Sequence, residues 1–138
     1  MLGEFFAARP DEIDDELIEE GPHGRLSTVA AKGLTEVSLA TLGEIIGVGA
    51  YDDLVEQIAE GPEAESGEAG ILAIPQTFRD CVAGAGDADA AADRWVTTAE
   101  MAADGWTKEE AREVVSDLRD LARQAASDNR DLFYWWSL

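Results

Sequence analysis

Residues 107–136 read TKEEAREVVSDLRDLARQAASDNRDLFYWW, and two different periodicities meet in them. Thr107 stands three residues before Glu110. In that spacing a threonine hydroxyl caps a helix while the glutamate reaches back to the N–H of the cap. Behind the cap, Ala111, Val114, Val115, Leu118, Leu121, Ala122 and Ala125 recur every three to four residues. Glu109, Glu113, Asp117 and Asp120 fall off that stripe. The spacing predicts an amphipathic helix that fails near Ser127-Asp128-Asn129. The run Leu132-Phe133-Tyr134-Trp135-Trp136 follows, apolar at every position. A strand apolar on both faces is normally central, with both faces covered. A chain of 138 residues either covers both itself or leaves one face for a second copy, so a homodimer stays open.

Outward from this unit the same reading supplies the rest. Leu2 to Ala8, with Phe5-Phe6, reads as a first strand. Pro10 suits the first turn of a helix whose buried stripe is Ile13, Leu17 and Ile18 and which Gly21-Pro22 stops. Residues 22–33 read as a loop with a short element at Leu26 to Ala30. Leu34 to Ile46 reads as a helix capped by Gly47. A second helix carries Tyr51, Leu54, Val55 and Ile58, and Gly61-Pro62 ends it. The two should form a helical hairpin. Residues 63–70, EAESGEAG, are a polar break. Ile71 to Ile74 is a short strand closed by Pro75, which opens a helix carrying Phe78, Cys81 and Val82. Asp87 or Asp89 caps a further helix with Ala88, Ala91, Ala92, Trp95, Val96 and Ala99 on its apolar side. The expectation is one α+β domain over residues 1–138. It has six helices and a small sheet of about three strands drawn from residues 2–8, 71–74 and 131–137.

That order resembles the small bacterial YfbM-like proteins. The resemblance is carried by residues 2–20, by ILAIPQTFRDCV within residues 71–83, and by residues 113–136. It implies a similar α+β fold and brings no catalytic residue with it.

The charge is extreme: 30 acids stand against 10 bases, a net charge of −20. Direct binding to nucleic acid or to an anionic membrane is disfavoured, because phosphates would be repelled. Two readings remain open. The acidic surface suits a basic protein partner, and the acid-rich, lysine-poor composition is also that of proteins from salt-rich cytoplasm. The single cysteine, Cys81, allows no intrachain disulfide. Met1 to Glu4 has no basic region and no long apolar core, so a signal peptide is not expected. No apolar run approaches the about 20 residues needed to cross a bilayer. A cytoplasmic location is expected.

No motif names a reaction. Gly43, Gly47 and Gly49 are not a dinucleotide or phosphate-loop pattern and read as helix caps. His23 and Cys81 are too few for structural zinc. Asp87, Asp89 and Asp93 imitate the start of a calcium loop but lack its glycine and distal glutamate. Glu65-Ser66-Gly67 is not a nucleophile elbow. His23 is a lone loop histidine, readable as a general base or as plain surface. No metal and no cofactor is expected. Asp52, Asp53, Glu63, Glu65 and Glu68 form the densest acidic patch outside a regular helix. Trp106, Tyr134, Trp135 and Trp136 are read either as core or as an interface. The reading that results is an acidic protein-binding domain of immunity or antitoxin type. Its alternatives are a carboxylate-based hydrolase using the 52–68 region and an acidic DNA mimic.

Overall fold

The aromatic run forms the middle of the sheet. The computed structural model describes residues Leu2 to Leu138, and Met1 of the opening segment lies outside them. In chain order the elements are β1 (Leu2–Ala8), α1 (Asp15–Glu20), β2 (Thr28–Ala30), α2 (Glu36–Ile46), α3 (Tyr51–Gln57), β3 (Ala59–Glu63), β4 (Ala69–Ile74), α4 (Gln76–Ala83), α5 (Ala88–Trp95), α6 (Ala99–Ala103), α7 (Lys108–Ser127) and β5 (Asp131–Ser137). The sheet order is β2-β1-β5-β4-β3, and every neighbouring pair is antiparallel. The fold is α+β. Its sheet has five strands rather than about three, because β2 and β3 add an edge on each side of the predicted core. The helical region expected after Asp87 divides into α5 and α6, so the described residues hold seven α-helices rather than six.

Helix α7 and strand β5 form as their pattern dictates. Thr107 Oγ1 accepts from the Glu110 N–H at 3.2 Å, and Glu110 Oε1 accepts from the Thr107 N–H at 3.0 Å. At the far end Asn129 takes a left-handed conformation with φ 55. The Arg130 N–H then reaches the Ala125 carbonyl at 2.8 Å, which turns the chain out of the helix and into the sheet. Alternation along β5 sends Leu132 and Tyr134 to one face and Phe133 and Trp135 to the other.

The first face is covered by α2 to α7, whose buried residues join Phe5, Ala7, Leu72, Ile74, Leu132 and Tyr134 in the main core. The second face is covered by α1 and its flanking loops. There Leu17 and Ile18 pack on Phe6, Ala8, Ile71, Phe133 and Trp135, with Ile13 and Leu26 at the margin. Both faces of the central strand are therefore closed within one chain. The N-terminal helical segment starts later than Pro10 suggests. Residues Pro10–Glu12 form a short 3-10 turn, and Asp14 caps α1 by accepting from the Leu17 N–H at 2.9 Å. No described helix is long and apolar enough to cross a membrane.

Tyr134 fixes how α2 meets the sheet. Its hydroxyl donates to the Ala31 carbonyl at 2.6 Å and accepts from the Leu34 N–H at 3.1 Å. Burial pushes the phenol pKa well above its ordinary value. The ring leans over Gly3, where an added Cβ would fall 1.8 Å from the Tyr134 oxygen. The strand needs glycine at that position because the phenol occupies the space a side chain would fill.

Candidate functional site

From Gly33 to Phe78 the chain has nine acids and no basic residue. These residues build α2, α3, β3 and β4, the helical hairpin and sheet edge at one side of the fold. The acids are Glu36, Glu44, Asp52, Asp53, Glu56, Glu60, Glu63, Glu65 and Glu68; Glu36 is half-buried and the rest are exposed. Local structure explains some of them. Asp52 and Asp53 sit in the first turn of α3, where negative charge complements the exposed N–H groups. Glu44 Oε2 accepts from the Tyr51 N–H at 2.8 Å and ties α2 to α3. Glu65 and Glu68 lie on the turn between β3 and β4, which Gly67 closes with a positive φ of 73.

The predicted acidic patch is thus spread along an edge. Asp52 and Asp53 are on the helix, Glu63 ends β3, and Glu65 and Glu68 are on the turn. The described surface includes two depressions, and of these five residues only Glu63 lines either of them. Glu36 and Glu60, which the sequence reading did not single out, line the same one. The absence of any base from residue 33 to residue 78 was the signal that could have found them.

The first depression is a cavity of about 190 Å3 between the start of α2 and the ends of β3, β4 and β5. Leu34, Leu72 and the half-buried Trp136 indole give it apolar walls. Trp136 lies over Gly70, where an added Cβ would come 2.6 Å from Cζ2 of the indole. At the adjoining helix start, the Thr35 N–H donates to Ser38 Oγ at 2.8 Å and the Ser38 N–H reaches Thr35 Oγ1 at 3.4 Å, so this cap is internally satisfied. The second depression is an open groove of about 780 Å3 along β2, with Trp106, Lys32, Glu110, Glu113 and Asp117 on its walls.

The four aromatic candidates separate into two pairs. Tyr134 is fully buried with its hydroxyl satisfied internally. Trp135 is 3% exposed and donates Nε1–H to the Ile18 carbonyl at 2.8 Å. Both are core residues: Tyr134 is enclosed, and Trp135 reaches the wall of the second depression with only a sliver of its surface. Trp106 and Trp136 are half-buried, and each lines one depression. The interface reading narrows to these two.

The remaining chemical candidates have structural occupations. Asp87 caps α5 by accepting from the Ala90 N–H at 2.9 Å. Asp93 accepts from Arg112 Nε and Nη2, both at 2.8 Å, and that guanidinium holds its carboxyl below the usual carboxylate range. His23 packs edge-on against Trp135 with ring centroids 6.0 Å apart, and its Nδ1 lies 3.3 Å from Glu4 Oε2. Cys81 is half-buried and free, less enclosed than the apolar face of α4 suggested. Among the described residues no three histidine, cysteine or acidic side chains are grouped as metal ligands. Seven of the eight arginines are tied to carboxylates or backbone carbonyls, namely Arg9, Arg25, Arg79, Arg112, Arg119, Arg123 and Arg130. No protein-family model, no curated protein and no solved structure matches the chain.

Proposed function

We propose that this is a cytoplasmic protein-binding domain whose partner is basic, and that the partner docks on the edge formed by α2, α3 and β3. The single observation that carries the reading is the charge of that edge and its β3–β4 turn: nine carboxylates and no base, while seven of the eight arginines, all elsewhere, are already tied. Such a surface steers a basic partner and fixes its register through complementary potential. An inhibitor of immunity or antitoxin type works in this way, by covering the cationic site of an enzyme. A hydrolase built on residues 52–68 is less favoured, because Asp52, Asp53, Glu65 and Glu68 line neither depression and only Glu60, Gly61 and Glu63 of that region reach the cavity beside Trp136.

The test begins with the full chain immobilised and exposed to proteins of its host. The captured protein is then purified and its affinity measured. Reversing Asp52, Asp53, Glu65 and Glu68 to lysine is expected to weaken binding by about 100-fold, and reversing Asp120 and Glu109 on α7 by far less. Equal losses from the two faces, or a partner without a basic surface, would overturn the reading. Competition by duplex DNA for the same partner surface would point to the DNA-mimic form of it.

The YfbM-like resemblance is also proposed as a likeness of fold. A solved structure from that family should superpose on β1, α1, β4, α4, α7 and β5; a different strand order would remove the likeness.

A further inference from the structure

The cavity beside Trp136 is too small for the roughly 300–1,000 Å3 of an ordinary small-molecule site. At about 190 Å3 it suits one long side chain. Leu34, Leu72 and Trp136 offer it apolar surface, while Glu36, Glu60 and Glu63 put three carboxylates around the same space. Among the described residues none of these carboxylates meets a basic side chain. The indole N–H groups of Trp95 and Trp135 are hydrogen-bonded within the fold, whereas that of Trp136 has no partner among the described residues.

We propose that this cavity seats the side chain of one arginine from the basic partner. The proposal rests on the protein-binding reading above and adds its anchor. The aliphatic stem lies along Leu34 and Leu72, and the planar head stacks on Trp136 with Glu60 and Glu63 as its counter-charges. An aromatic wall beside carboxylates favours guanidinium over ammonium, because guanidinium stacks on rings and pairs with carboxylates in two-point fashion. A purely apolar occupant would strip water from three carboxylates and give nothing back. An anion would be repelled.

The experiment uses the full chain at low salt and the peptide acetyl-Gly-Gly-Arg-Gly-Gly-amide, with the citrulline peptide as its uncharged counterpart. The readout is the nuclear magnetic resonance signal of each backbone amide and of the four indole N–H groups, the latter assigned by Trp→Phe variants. The Trp136 indole signal is expected to shift and saturate with the arginine peptide and to stay in place with citrulline. Glu60→Gln with Glu63→Gln should weaken the titration by about tenfold, the equivalent of ~1.4 kcal/mol. Asp120→Asn on α7 should leave it unchanged. Shifts confined to amides of α3 and of the β3–β4 turn, with Trp136 unmoved, would overturn the cavity and leave the acidic-edge reading standing. Equal shifts with citrulline would also overturn it. No shift anywhere with the arginine peptide would count against both.

Discussion

Trp135 and Trp136 are consecutive in β5 and stand on opposite faces of the sheet. Trp135 is enclosed by Phe6, Leu17, Ile18 and Phe133 on the face covered by α1. Trp136 turns to the helical side and covers Gly70 while part of its ring reaches solvent. Trp135→Ala is therefore expected to cost about 3–5 kcal/mol, because a large buried ring and its bond to the Ile18 carbonyl are both lost. Trp136→Ala is expected to cost about 1–2 kcal/mol, in line with its partial exposure. Urea unfolding of the two variants decides it. Equal costs would mean that the two rings are equally buried in solution.

Strand β5 is bonded along its length to β1 on one side and to β4 on the other. A chain ending at residue 130 loses the strand that joins the two halves of the sheet. It also loses the buried Leu132, Phe133, Tyr134 and Trp135, worth about 6–12 kcal/mol together at roughly 1.5–3 kcal/mol each. That is comparable to the about 5–15 kcal/mol that holds a typical domain. We expect the shortened chain to be aggregated or molten. A cooperative melting transition in calorimetry would refute the central place given to β5.

Gly3 and Gly70 make room for aromatic side chains on the same face, and the two rings differ in freedom. Tyr134 is held by two hydrogen bonds at its hydroxyl and cannot retreat from a methyl group at residue 3. Gly3→Ala is expected to destabilise the fold by about 1–3 kcal/mol. Gly70→Ala should cost less, since the partly exposed Trp136 indole can swing outward. A changed Trp136 emission spectrum in that variant, with Gly3→Ala the more destabilised of the two, would bear this out. The reverse order would sink it.

The net charge of −20 should make stability depend on ionic strength. Raising salt from low to molar levels screens the self-repulsion of the acidic surface. The melting temperature is expected to climb over that range. A flat or falling curve would show that the acids do not oppose folding, and would weaken the reading of the composition as an adaptation to salt.

Acid should act in the opposite direction once paired carboxylates titrate. Arg25 donates to both oxygens of Asp14, which also caps α1, and together these bonds pull the Asp14 carboxyl down to about 2 from its ordinary 3.8. The folded state thus prefers the ionised group. Its stabilising contribution is complete above the ordinary value and disappears as pH falls through about 2. The gap in melting temperature between the wild type and Asp14→Asn should be constant near neutral pH and close toward pH 2. A gap that persists in strong acid would mean that the loss arises from something other than the charge on Asp14.

The parts of the fold legible in the sequence are those with a long period and a paired cap. Helix α7 shows both, and β5 announces a central strand through its unbroken apolar run. The edge strands show neither. β2 is three residues long, and β3 contains Gly61-Pro62, which reads as a stop. Proline is tolerated there because an edge strand has one side without a ladder partner, and the register of β3 on β4 shifts between Glu60 and Glu63. Parity was equally hidden. Nothing in the letters WW says which ring faces α1, since register against β1 decides it. The cavity was out of reach because Leu34, Glu60 and Trp136 become neighbours only through the Tyr134 clamp and the sheet order.

The strand order also sets a schedule. β1 with β2 and β3 with β4 are each paired with a nearby part of the chain, but β1 and β4 touch only through β5. During synthesis the inner edges of β1 and β4 therefore have no partner strand until the residues after Asp131 leave the ribosome. Pairing over more than a hundred residues is slow to form, because loop closure must come before its reward. The aromatic segment is thus the keystone of the sheet, and unpaired strand edges are a hazard for misassembly until it is in place.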